Sequence, residues 1–249
     1  MFVATSGLRG DSRVLLLHGG GVAGWMWQPL RTRLEARHTV IVPDLPGHGR
    51  SAADPYVSHD QTVTSLVGVL ESDTSGRPAA VVGFSLGAQL AIELAAKHPE
   101  LVDRTVVVSA QAKAIPFTGP TLQLLGATAS LAKKRWFAEL QARELFVPPQ
   151  LMDDYVSTSS AITKQTLLAA VGANLRFEIP APWSDFPGRA LVMAGQRERL
   201  VMRQSAVAIH DALPSSELEI IEGCGHGIPL QRTDWFNDRV DAWITRRLW

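Results

Sequence analysis

Hydrophobic residues along the chain fall into two alternating patterns. Short aliphatic, largely β-branched runs without polar alternation recur at Val14 to Leu17, Thr39 to Val42, Ala80 to Val82, Thr105 to Val108, Ala190 to Met193 and Leu218 to Ile221. A strand reads this way when both of its faces are covered, as in a parallel sheet. Between these runs, residues 27–36, 61–72, 86–98, 202–213 and 233–247 carry apolar positions at helical spacing, often with Gly or Pro as punctuation. Alternation of the two patterns predicts an α/β fold built on a doubly wound, mostly parallel sheet. The alternation breaks between residues 111 and 185, where leucines and aromatics keep helical spacing, no strand is evident, and Pro116, Pro120, Pro148, Pro149, Pro180 and Pro182 interrupt the chain. The predicted organisation is therefore one core in two segments, 1–110 and 186–249, with an inserted helical cap at 111–185. No internal repeat or low-complexity tract changes this picture.

Composition narrows the function classes. Apolar residues make up 46% of the 249-residue chain and charged residues 19%, enough for a sizeable core and contrary to disorder. Lys plus Arg balance Asp plus Glu at 24 each, so no net field draws the chain to nucleic acid or an anionic membrane, and a small molecule is the expected partner. The short basic run Lys133, Lys134, Arg135 reads as a solvated helix face. Cys224 is the only cysteine, which excludes an intramolecular disulfide and a cysteine-based metal site and fits a reducing cytoplasm. The first apolar run is too short for a signal peptide. Residues 79–96 are long and apolar, but Gly83, Ser85, Gln89 and Glu93 interrupt them, so a buried strand followed by a buried helix is expected in place of a membrane span. Oligomeric state is not legible; Trp243, Ile244, Leu248 and Trp249 either finish the core or expose an apolar patch.

Candidate chemistry begins at Gly83-Phe84-Ser85-Leu86-Gly87, which follows a predicted strand and opens a predicted helix. In that context a G-x-S-x-G sequence is a nucleophile elbow: a strained turn lifts the serine hydroxyl above the sheet, and the flanking glycines let strand and helix approach closely. His18-Gly19-Gly20-Gly21 directly follows another strand. Acyl transfer needs two backbone N–H groups aimed at the developing oxyanion, and Gly20 and Leu86 are the candidates. His18, at a strand end beside the glycines, is expected to hold this loop. A general base working near neutral pH is best supplied by histidine, and His226, in Gly223-Cys224-Gly225-His226-Gly227 after the last predicted strand, is placed to swing over the sheet edge. His38 and His210 lie beside strands or in helices, and His59 and His98 in exposed or helix-terminal surroundings, so all four read as structural or solvated. Glu198, just past the strand Ala190 to Met193, is the candidate acid that orients the base, with Glu222 as its rival. Asp185 precedes that strand and belongs to the opposite edge, while Asp44 is expected to fix the glycine-rich turn beyond it.

These residues resemble the α/β-hydrolase superfamily across both core segments. The likeness rests on His18-Gly19-Gly20-Gly21, on Pro43-Asp44-Leu45-Pro46-Gly47-His48-Gly49-Arg50-Ser51, on the elbow at Ser85 and on Gly223-Cys224-Gly225-His226, in this order. Two departures stand out. The acid position carries Glu198 where such relatives usually have aspartate, and only about a dozen residues precede the first parallel strand, so the family's N-terminal hairpin looks abbreviated. The resemblance implies the order nucleophile, acid, base for Ser85, Glu198 and His226, and a serine nucleophile argues against epoxide opening and dehalogenation. The expected function is a serine hydrolase of the carboxylesterase or lactonase type, acting through an acyl-enzyme on a small, largely apolar substrate without metal or organic cofactor. A carbon–carbon bond hydrolase, thioesterase or lyase using the same triad, or a ligand receptor on a hydrolase scaffold, stays open. The substrate pocket is expected between elbow and cap, lined by residues among Trp25, Phe84, Phe117, Leu125, Trp136, Phe137 and Phe146.

Overall fold

A computed structural model describes residues 1–8, 12–72, 76–114 and 118–246. Seven strands form one sheet in the order β1-β3-β2-β4-β5-β6-β7: β1 Val3–Ser6, β2 Arg13–Leu17, β3 Thr39–Pro43, β4 Ala79–Phe84, β5 Val102–Val108, β6 Arg189–Gly195 and β7 Glu217–Ile221. All pairings are parallel except β1 with β3, where Val3 faces Pro43 and Ser6 faces Val40 in antiparallel register. The segment before β2 thus supplies β1 as an antiparallel edge strand.

Side-chain alternation along the buried strands feeds two separate cores. On one face Leu15, Leu17, Val81 and Val192 pack with Leu66 and Leu70 of α2 (His59–Glu71), Leu90 and Leu94 of α3 (Leu86–Lys97), and Ile209 of α8 (Leu200–Ala212). On the other, Val14, Leu16, Val82, Val106 and Met193 meet Leu30 and Leu34 of α1 (Gln28–Leu34) together with Phe236, Val240 and Trp243 of α10 (Thr233–Thr245). Trp243 and Ile244 therefore finish the core, while Leu248 and Trp249 lie outside the described residues. Covering both faces explains why the strands lack polar alternation.

Between β5 and β6 the described residues hold α4 (Thr118–Thr128), α5 (Arg135–Glu144), α6 (Met152–Ala161) and α7 (Lys164–Arg176), and no strand. After β7 a short α9 (Ile228–Gln231) leads into α10. Lys133, Lys134 and Arg135 are exposed, and Arg135 pairs with Glu139 and Asp153. Among the described residues no helix is long and apolar enough to cross a membrane. The chain leaves β2 for β3 on one side and returns to β4 on the other, so the carboxyl ends of β2 and β4 flank the topological switch point where open α/β sheets place their ligands.

Candidate active site

The turn from β4 into α3 brings Ser85 to that switch point. Ser85 has φ 52° and ψ −113°, a left-handed conformation that a non-glycine residue adopts only under strain. The close approach is made possible by glycine: a methyl group at Gly83 would strike the backbone of Gly87 and Ala88, and one at Gly87 the carbonyl oxygens of Leu17 and His18. Ser85 stays half-buried, open to a cavity of about 440 Å³, and its hydroxyl lies 3.1 Å from Nε2 of His226.

His226 enters from the loop after β7, with its side chain 30% exposed, and its ring packs at 5.2 Å against Phe84. Behind it stands Glu198, whose side chain is 1% exposed and whose Oε2 lies 3.6 Å from His226 Nδ1. Oε1 accepts from the Ser109 hydroxyl and, at 3.1 Å, from the Gly195 N–H. Oε2 has no hydrogen-bond partner although it is sealed from solvent. A buried carboxylate oxygen without a donor costs free energy unless it meets a cation, and the imidazolium formed when His226 takes a proton is the group within its reach. The gap of 3.6 Å leaves room for the contact to tighten as that charge forms. Glu222, the rival acid, is exposed.

The loop after β2 forms the opposite wall. Gly20, Gly21 and Leu86 line the cavity beside Ser85, and side chains at Gly20 or Gly21 would meet nothing within 4 Å, so the backbone itself faces the open space. His18 is fully buried and ties this loop down: Nδ1–H donates to the Gly19 carbonyl, and Nε2 accepts from the Leu45 N–H at 2.8 Å. Burial first, and the neighbouring His48 second, lower its pKa to about 3. The imidazole is therefore neutral, as this bonding pattern requires. Asp44 accepts from the Gly24 and Arg50 N–H groups and so fixes the two adjoining turns.

Of the expected pocket residues, Leu125 and Phe137 line the cavity, and four others do not. Trp136 is 60% exposed and meets Phe137 edge-on, because neighbouring positions on a helix point about 100° apart. Trp25 uses its indole N–H to bind the Thr158 hydroxyl at 3.0 Å, tying the segment after the glycine loop to α6. Phe84 is buried beneath the site, against Gly19 and His226. Phe146, with φ 56°, packs over Gly225 and is 40% exposed. Phe117 lies outside the described residues. His59 opens α2 and is structural, one of the alternatives read for it. It is buried, with Nδ1 3.0 Å from the Tyr56 hydroxyl and Nε2 3.0 Å from Gln89 Oε1, and Gln89 in turn bonds Asn174 of α7.

Sequence reasoning missed Ser109, His48 and Tyr155. Ser109 directly follows β5 with φ 55°, 1% exposed, with its hydroxyl between Glu198 and the His226 carbonyl. Its place at the carboxyl end of a strand, on the same edge as Ser85, was the available signal. His48 and Tyr155 are buried residues of the cavity wall; Tyr155 carries no signal beyond being one of only two tyrosines.

A parallel sheet with a strained serine at its switch point and a histidine within hydrogen-bond reach defines the α/β-hydrolase class. The chain belongs to the alpha/beta hydrolase family, which residues 14–239 match. It is similar to 2-hydroxymuconate semialdehyde hydrolase of Pseudomonas putida, 28% identical over 245 residues that cover 92% of this chain and 86% of the relative. Among solved structures it is similar to an N-acyl homoserine lactone degrading enzyme, 26% identical with a TM-score of 0.78, covering 97% of this chain and 96% of that one. The enol-lactonase of Burkholderia xenovorans LB400 shares the fold at a TM-score of 0.80 and 20% identity, covering 98% and 96% respectively. The chain is accordingly a hydrolase.

Proposed function

We propose that this hydrolase cleaves an ester-like bond of a small, largely apolar substrate, of the carboxylester or lactone type, through an acyl-enzyme on Ser85. The observation that carries the reading is the 3.1 Å approach of His226 Nε2 to the Ser85 hydroxyl on the wall of a 440 Å³ cavity. In the first half-reaction the Ser85 oxygen attacks the substrate carbonyl while its proton passes to His226 Nε2. The carbonyl oxygen becomes an oxyanion held by the N–H groups of Gly20 and Leu86, and the dipole of α3 adds to the stabilisation. Collapse breaks the bond to the leaving alkoxide, which takes the proton from His226. Water then enters by the reverse steps, releasing the acid and restoring the serine. Glu198 orients the ring and balances its transient charge. In this reading residues 111–185 serve as a cap that closes the cavity over core segments 1–110 and 186–249, and Leu125 and Phe137 contribute apolar wall.

Carbon–carbon cleavage is the second reading, since the relative from Pseudomonas putida is named for a muconate-derived substrate. A muconate carries carboxylate, yet the described residues lining the cavity include no Lys or Arg, and Glu144 is their one charged member. This favours the neutral ester or lactone. A fluorophosphonate probe together with a chromogenic short-chain ester tests the proposal. Wild type is expected to label at Ser85 and to hydrolyse the ester, and Ser85→Ala to do neither. Absence of labelling and of turnover above the Ser85→Ala background, or turnover of a vinylogous diketone in preference to the ester, would overturn it.

A further inference from the structure

Resting on the reading above, we infer that the cavity recognises a second polar group on a neutral substrate, a carbonyl apart from the one that reacts, through the hydroxyl of Tyr155. Tyr155 projects from α6 as part of the cavity wall and is 3% exposed. Its hydroxyl has no hydrogen-bond partner among the described residues and is not sealed from solvent, and because Tyr155 lines the cavity, the cavity is where this free donor can find a partner. Burial pushes its pKa up to about 12, which keeps the proton in place at neutral pH. Of the other buried hydroxyls of the wall, Ser159 donates to the Val156 carbonyl, and Thr166 accepts from the Tyr56 N–H at 3.4 Å.

His48 complements this donor. Its Nδ1 lies 2.9 Å from the Pro46 carbonyl, which can only accept, so the proton sits on Nδ1 and Nε2 is left as a bare acceptor on a ring of the cavity wall. Both buried polar groups are thus uncharged, because burial also lowers the His48 pKa. With no cation in the described lining, a carboxylate-bearing substrate would leave water uncompensated. A neutral molecule carrying a carbonyl for Tyr155 loses nothing by entering, and one lacking it leaves a buried donor unpaired.

The test uses matched para-nitrophenyl esters: levulinate against valerate, 5-oxohexanoate against hexanoate, and the anionic glutarate monoester. Wild type is expected to prefer at least one oxo ester over its plain partner by about tenfold in kcat/KM, the equivalent of one hydrogen bond. Tyr155→Phe keeps the ring and is expected to abolish that preference, so that the ratio of kcat/KM between each oxo ester and its plain partner falls to about one. The glutarate monoester is expected to be poorer than valerate. No oxo preference in wild type, a preference that survives Tyr155→Phe, or a glutarate monoester better than valerate would each overturn the inference. If no ester at all is turned over, the esterase reading has failed, and calorimetric binding of acetonylacetone decides the Tyr155 site separately. Equal affinity of wild type and Tyr155→Phe, or no binding to either, refutes it; weaker binding to Tyr155→Phe supports it.

Discussion

Acidification is expected to loosen the protein through His18, and the size of the effect follows from its surroundings. The ring is fully buried and bonded in the one pattern a neutral Nδ1–H tautomer allows, and its pKa falls from 6.5 to about 3. A histidine whose folded pKa lies below its unfolded value is protonated first in the unfolded chain, so stability is complete above pH 6.5 and declines as pH falls through the window down to about 3. Between pH 8 and pH 5 the unfolded chain gains about 2 kcal/mol from this one site. Shifting the folded pKa by a unit barely alters that figure, because at pH 5 the folded ring is still neutral. Urea unfolding of wild type and His18→Asn at both pH values isolates the effect, since carboxylates and other histidines titrate in both proteins. The variant is expected to be less stable at pH 8, having lost the acceptor of the Leu45 N–H, but to show a drop on acidification smaller by about 2 kcal/mol. An identical drop in the two proteins would refute the reasoning.

Three further outcomes are expected. Glu198→Gln, which keeps the shape but not the charge, should lower kcat on the order of a hundredfold or more with the fold retained, whereas Glu222→Gln should stay near wild type; steady-state kinetics with a melting curve reads both. Ser109→Ala removes one of the two donors to Glu198 Oε1, leaving the Gly195 N–H, and should reduce kcat about tenfold with little change in KM, and Ser109→Thr should recover part of the loss if the hydroxyl acts by positioning the acid. Gln89→Leu should destabilise the protein by roughly 1–3 kcal/mol in denaturant titration, because it strips partners from buried His59 and from Asn174.

The six parallel strands were legible because each carries a short apolar run, covered on both faces in all but the edge strand β7, and the observed elements start or stop within a few residues of the predicted ones. β1 was not, since four partly exposed residues carry no such run and owe their strand to pairing with β3. Motif context located Ser85, His226 and the glycine loop, each tied to the carboxyl end of a strand. Side chains of residues 111–185 were read less well for a physical reason. Helical spacing tells which positions are apolar but not which neighbour covers them, so Trp136 and Phe137, adjacent in the chain, end in solvent and cavity respectively. For His59 the helix-terminal place was legible, but the choice between a structural and a solvated role was not, because Gln89 and Phe177 arrive from distant segments to bury it.

The proposed reaction requires a covalent bond between Ser85 and the acyl group. Rapid quenching of the protein with para-nitrophenyl acetate, followed by peptide mass analysis, measures it directly. The peptide containing Ser85 is expected to carry one acetyl group during turnover in wild type, with more of it retained in His226→Ala if acylation still proceeds slowly, and none in Ser85→Ala. Ester hydrolysis with no acetyl on Ser85 at any quench time, or an acetyl group accumulating on another residue, would contradict it.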